Sequence, residues 1–213
     1  MLESLFKPHS IAVVGASREE KKVGHAVLKN LIHAGYKGEI YPVNPKAREI
    51  LGLRCYSSLK EINSSVDLIV IAVPPPVVVE TLREAALKEV KTAVIITAGF
   101  RETGPEGLRL EEELKEIARK GNIRILGPNC LGIINTEIGL NATFAAGAPP
   151  CGKISFFSQS GALGIAILDW AIGNNIGISK FISLGNKIDL TELDFIEYFM
   201  NDPGTEVILG YIE

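Results

Sequence analysis

The feature that most restricts the fold of this chain is an alternation. Short apolar runs take turns with longer stretches of helical periodicity. A strand apolar throughout must be covered on both faces, and crossover helices over a parallel sheet provide that cover. Five segments read as such strands, at 11–14, 39–43, 68–73, 93–97 and 124–126. Between them, Val23, Val27, Leu31 and Ala34 share one helical face, with Gly35 as the stop. Leu82 with Ala85 and Ala86 marks a second helix, and Leu110, Leu114 and Ile117 a third that opens at Pro105 and closes at Gly121. The expected fold class is α/β, with residues 1–145 forming a Rossmann-like domain on a parallel sheet.

The passage "AAGAPPCG" at 145–152 reads as a linker, after which the pattern restarts. "KISFF" is a strand, and the turn "SQSG" leads into a helix with Leu163, Ala166, Ile167 and Trp170 on one face. "ISKFISL" is the next strand. A helix from about Thr191 carries Ile196, Phe199 and Met200, and "EVILGYI" closes the series. Three strands are fewer than the roughly five of an open α/β domain. Residues 151–213 are therefore expected to be the first part of an incomplete second domain, and the chain a fragment of something longer.

At 213 residues, 46% hydrophobic and 22% charged, the chain can bury a sizeable core. A net charge of −3 with no Lys/Arg-rich block argues against a nucleic-acid partner. A strand that begins by Ile11 leaves no room for a signal peptide, and no apolar run approaches the roughly 18 residues of a membrane span. Cys55, Cys130 and Cys151 are widely spaced, which fits neither a disulfide framework nor a zinc site. The expectation is a cytoplasmic protein without a metal centre. Gln159 is the only glutamine, and scarcity of thermolabile amides leans towards a thermophile.

Strand ends carry the candidate chemistry, because open α/β folds bind ligands along that edge. After the first strand, "VVGASREEKKVG" sets Gly15 and Ser17 in a turn and Gly24 at a helix start, where free N–H groups suit a phosphate. The spacer "REEKKV" is too long for G-x-G-x-x-G, and a plain strand-to-helix turn would look much the same. The second strand ends "YPVNPKARE" and lacks the acidic residue that holds a nicotinamide ribose. Lys46 and Arg48 there suit a ribose phosphate, as in NADP or coenzyme A; the alternative is a lysine at a solvated helix start. The third strand ends "AVPPP", the fourth "ITAGF" and the fifth "LGPNCLG". Asn129 offers both donor and acceptor. Cys130 has no histidine near it in sequence and reads as a packing or ligand-contact residue. Ser160, Gly161 and Ala162 open a helix whose N–H groups and positive dipole end face an anion, or else form an ordinary serine cap. "SQSG" lacks the flanking glycines of a nucleophile elbow.

In this order, "VVGAS", "YPVNPK", "AVPPP", "ITAGF", "GPNCLG" and "SQSGALG" resemble the α subunit of the NDP-forming acyl-CoA synthetases. Its ADP-forming acetyl-CoA branch is the nearest in pattern, with succinyl-CoA synthetase more distant. The resemblance runs through the whole chain. It implies that the second domain is flavodoxin-like, and that acyl-CoA, ADP and phosphate are interconverted with acid, ATP and CoA through an acyl phosphate and a phosphohistidine. It further implies that Ser17, Val23 and Gly24 sit on the coenzyme A phosphates, with Lys46 near the 3′-phosphate. Val73, Pro74, Thr97, Ala98, Asn129 and Cys130 would line the pantetheine path. Ser160, Gly161 and Ala162 would hold phosphate, and Glu213 would orient the phosphorylated histidine.

That histidine would lie beyond position 213. His9, His25 and His33 do not replace it, although His25 could face the cofactor. ADP or ATP and magnesium would belong to an ATP-grasp β subunit or domain, so a hetero-oligomer or a longer chain is implied. Alone, this polypeptide is expected to bind coenzyme A or acyl-CoA without completing the cycle. Acetate or another small acid is the implied acyl donor. Two other readings remain: a non-catalytic CoA-binding regulatory module, as in protein acetyltransferases, and an NADP-dependent oxidoreductase.

Overall fold

The computed structural model describes residues 2–213. After one helical turn, α1 (Glu3–Phe6), come β1 (Ser10–Val14), α2 (Val23–His33) and β2 (Glu39–Val43). A small hairpin, β3 (Glu49–Ile50) with β4 (Leu53–Arg54), and a short 3-10 turn fill the next crossover in place of a helix. Then β5 (Leu68–Ile71), α3 (Pro75–Leu87), β6 (Thr92–Ile95), α4 (Pro105–Gly121) and β7 (Arg124–Leu126) complete a parallel sheet in the order β2-β1-β5-β6-β7. β1, β5 and β6 are buried at every position, as uninterrupted apolar runs require. α3 and α4 begin on Pro75 and Pro105, where a missing N–H costs nothing.

The chain continues through β8 (Gly132–Asn135), β9 (Leu140–Thr143), β10 (Cys151–Ser158), α5 (Gly161–Gly173), β11 (Ile178–Ser183), α6 (Glu192–Met200) and β12 (Val207–Tyr211). These strands form a second sheet in the order β12-β10-β11-β8-β9, in which β10 is parallel to both neighbours and β8 antiparallel to both of its own. The β8–β9 hairpin was not anticipated from the sequence. Its buried Asn135, Asn141 and Thr143 break the apolar pattern yet are satisfied inside. Asn135 Nδ2 donates to the Phe6 carbonyl at 2.8 Å, and the Thr143 hydroxyl donates to Asn141 Oδ1 at 2.7 Å.

Two helical faces differ from expectation. α5 buries Gly164, Leu168 and Ala171, while Trp170 is 59% exposed. Its sequence is apolar on nearly every side, Asp169 being the one charge, so periodicity selects a face only weakly; the approach of Gly164 to the Phe181 ring selects it. In α6 the buried pair is Phe195 and Phe199, and Met200 lies outside. The reason is the aromatic cluster with Phe6, which stacks on Tyr198 with ring centroids 4.3 Å apart and meets Phe195 edge-on at 6.1 Å.

Residues 184–190 fasten the two sheets together. Asn186, Ile188 and Leu190 donate backbone N–H groups to the carbonyls of Pro128, Gly127 and Ile125 at 2.8, 3.2 and 3.1 Å, running along the free edge of β7. Asp189 accepts from the Ile125 N–H at 2.8 Å and from Arg124 Nε at 2.9 Å, and Arg124 also reaches Asp194 at 3.0 Å. An edge strand that would otherwise expose its donors is thereby closed.

Candidate functional site

The first strand-end loop is built on close backbone approach. Gly15 has φ +91°, and a Cβ there would meet the Ala72 carbonyl oxygen at 2.4 Å. At Gly24 a Cβ would fall 1.9 Å from the Gly15 carbonyl oxygen, so only glycine lets α2 begin this near the loop. His25 is 6% exposed and its Nδ1 lies 2.9 Å from the Ser17 carbonyl oxygen, which ties the loop to the helix. Its ring is thus engaged by the loop backbone. Asn44 binds the same loop from the side, donating from Nδ2 to the Ala16 carbonyl at 2.7 Å and accepting the Lys46 N–H at 2.8 Å. Arg18, from the long spacer, donates to the Lys46 carbonyl at 3.2 Å.

Around this loop lies a cleft of about 710 Å³ whose wall includes Gly15, Ser17, Val23, Gly24, Lys46, Val73 and Pro74. Lys46 is exposed, in a turn rather than at a helix start, whereas Arg48 does not border the cleft. Val23 and Gly24 head α2, so the positive end of that helix opens into the cleft.

A larger cavity of about 960 Å³ adjoins it, with Val23, Ala72, Val73 and Pro74 as common wall. Thr97, Ala98, Asn129, Cys130, Gly161, Ala162 and Glu213 border the larger space. Of the expected site residues Ser160, like Arg48, borders neither. It caps α5 instead, its Oγ accepting the Leu163 N–H at 3.3 Å. The Thr97 hydroxyl donates to the Val73 carbonyl at 2.7 Å, fixing two strand ends together. Asn129 adopts φ +58° and its Nδ2 donates to Asn186 Oδ1 at 3.4 Å. Burial pushes the Cys130 thiol up to about 12, and its Sγ lies 3.3 Å from the Ile95 carbonyl, so it is an inert wall residue. The Glu213 N–H donates to Gln159 Oε1 at 3.2 Å.

The wall also holds residues missed in the sequence, among them Arg101, Phe144, Gln159 and Asn186. Asn186 follows β11 in "SLGNK", so the strand-end rule applied to the first domain would have found it in the second. Arg101 sits just past "ITAGF" within a rigid loop. There the Glu102 carboxylate accepts the Gly99 and Phe100 N–H groups at 2.6 and 3.1 Å and Asn186 Nδ2 at 2.7 Å. Burial pushes the Glu102 carboxyl up, and these hydrogen bonds outweigh it, holding it below the usual carboxylate range. Among the described residues no group of His, Cys, Asp and Glu is arranged to hold a metal ion, and no helix is long and apolar enough to cross a membrane.

A family model for the CoA binding domain matches residues 9–136. The chain belongs to that family. A second model, the succinyl-CoA ligase like flavodoxin domain, matches residues 151–213. As a member of the CoA binding domain family, the chain is 50% identical over its full length to acetate–CoA ligase [ADP-forming] I of Archaeoglobus fulgidus, of which it covers 31%. It is 47% identical to the α subunit of acetate–CoA ligase [ADP-forming] I of Pyrococcus furiosus, covering 47% of it. The fold superposes with a TM-score of 0.97 and 45% identity on acetyl-coenzyme A synthetase 1 of Ca. Korarchaeum cryptofilum, solved with phosphate and ADP, all of this chain matching 46% of that one. The chain thus spans about a third to a half of the length of these relatives.

Proposed function

We propose that this chain is the coenzyme A-binding part of an ADP-forming acid–thiol ligase acting on acetate or a similarly small acid. The observation that carries the reading is the shared wall of the two cavities. In this reading they serve as one path from Lys46, past Val73 and Pro74, to Asn129, Gly161 and Glu213. Such a path suits a long ligand with a phosphorylated ribose at one end and a slender arm at the other. Lys46 supplies charge for the 3′-phosphate; Ser17 and the start of α2 take the diphosphate. Thr97, Ala98 and Asn129 guide the arm. Coenzyme A, when bound, supplies the thiol that accepts the acyl group. The chain's own contribution is to bind it, orient it and shield the thiol end between apolar walls.

The start of α5 at Gly161 and Ala162 holds phosphate in this reading, and Glu213 orients a histidine of the remaining enzyme by accepting its ring N–H. Nucleotide and magnesium belong to an ATP-grasp partner, subunit or domain. Calorimetric titration with CoA, 3′-dephospho-CoA and NADP tests the core of it. CoA binds, dephospho-CoA binds more weakly, and that difference disappears in Lys46→Ala. Binding of NADP without CoA overturns it.

A further inference from the structure

The wall of the larger cavity carries one cationic side chain, Arg101, and one anionic side chain, Glu213. Arg101 is held from behind. Its Nη2 donates to the Asn186 carbonyl oxygen. Its Nη1 lies 3.7 Å from Oε1 of Glu111, which is 0% exposed. That oxygen has no hydrogen-bond partner among the described residues. The other Glu111 oxygen accepts Asn186 Nδ2 at 3.0 Å and the Arg101 backbone N–H at 3.4 Å. A buried carboxylate with one oxygen committed and the other turned to a guanidinium needs that positive charge close by. The Arg101 side chain nevertheless remains 44% exposed, which leaves donors free towards the cavity.

The position matters as much as the charge. Asn186, which holds Arg101 through its carbonyl, accepts a hydrogen bond from Asn129 through its side chain. Arg101 therefore stands one residue away from the strand-end asparagine, on a cavity wall that also includes the apolar Ile96, Leu131 and Ile165. A small carboxylic acid entering such a space loses water from its charged end and requires a counter-charge there. The planar fork of a guanidinium matches two carboxylate oxygens, and an arginine fixed in advance loses little freedom on binding.

We propose that Arg101 recognises the carboxylate of the acid substrate, with Glu111 and Asn186 as its positioning residues. The inference rests on the acid–thiol ligase reading above. Its test follows binding of acetate and of inorganic phosphate to the 213-residue chain by NMR titration, with and without CoA. Arg101→Met weakens acetate binding by about tenfold or more, while CoA and phosphate stay within about twofold. Arg101→Lys retains part of the affinity, because a point charge remains without the fork. Glu111→Gln keeps the arginine but loosens it, and gives an intermediate loss. Unchanged melting temperatures for the Arg101 variants separate this from misfolding.

Acetate affinity unchanged in Arg101→Met overturns the proposal, as does an equal loss for phosphate or a wild-type chain that takes up no acetate. Failure of the wild-type chain to bind CoA counts instead against the ligase reading. Intact CoA binding with unaltered acetate binding counts against Arg101 alone.

Discussion

Lys180 and Asp202 form an ion pair inside the second domain, Nζ to Oδ2 at 2.6 Å, with the lysine side chain 0% exposed and the aspartate 2%. Glu137, at 3.3 Å, and the Ser179 hydroxyl, at 3.1 Å, complete the shell around the ammonium group. The pair joins β11 to the turn before β12, and Glu137 brings in the turn of the β8–β9 hairpin.

Removing the lysine leaves the Asp202 carboxylate buried without its counter-charge. Lys180→Met is expected to cost about 3–5 kcal/mol, measured by urea unfolding. Lys180→Met combined with Asp202→Leu should recover part of that loss, since no orphan charge then remains at position 202.

The same pair sets an acid limb. Burial pushes the Asp202 carboxyl up, but hydrogen bonds from Lys180 and Thr205 outweigh it and hold the group below the usual range. A carboxyl with a depressed folded value adds stability above its unfolded pKa of about 3.9, and that stability is lost as pH falls through the folded value. Unfolding midpoints measured from pH 6 downwards should therefore drop below about pH 4 in the wild type. Asp202→Asn should start lower and fall less steeply over the same window.

His25 holds the Ser17 carbonyl at 2.9 Å from within the helix that follows the loop. His25→Ala should lower stability by about 1 kcal/mol, the net worth of one such hydrogen bond. Coenzyme A affinity should fall several-fold as the loop loosens, and calorimetry reads both effects. An affinity equal to wild type would show that the loop needs no such tie.

Gly24→Ala is the sharper perturbation. Its Cβ would lie 1.9 Å from the Gly15 carbonyl oxygen, so either the loop or α2 must move. A cost of about 2–3 kcal/mol follows from overpacking, with loss of measurable coenzyme A binding. The chain should still fold, because the sheet does not depend on this contact, and a cooperative thermal transition checks that.

Cysteine reactivity separates the three thiols. Cys151 is exposed, whereas Cys55 and Cys130 are buried, and burial raises both of their pKa values. Iodoacetamide at pH 8 should label Cys151 in the native protein and reach the other two only after unfolding, as peptide mass mapping will report. Rapid labelling of Cys130 in the native protein would contradict its reading as an inert wall residue.

Much of this protein is determined by local sequence. Apolar runs too short for helices, prolines at 75 and 105, and the stop at Gly121 and Asn122 specify the parallel sheet and its crossovers residue by residue. The strand-end motifs were legible for the same reason: in a parallel sheet every strand end falls on one edge, whatever the long-range packing. What the tertiary structure alone decided are the features without local period. The β8–β9 hairpin hides its strand pattern behind asparagines satisfied from elsewhere in the chain. The buried face of α5 was chosen by Phe181, because a helix apolar on nearly every side has little preference of its own, and that of α6 by the aromatic cluster around Phe6. Arg101 and Asn186 met at the cavity only because residues 184–190 closed the edge of β7, a pairing between segments some sixty residues apart that backbone hydrogen bonding requires and no short sequence pattern records.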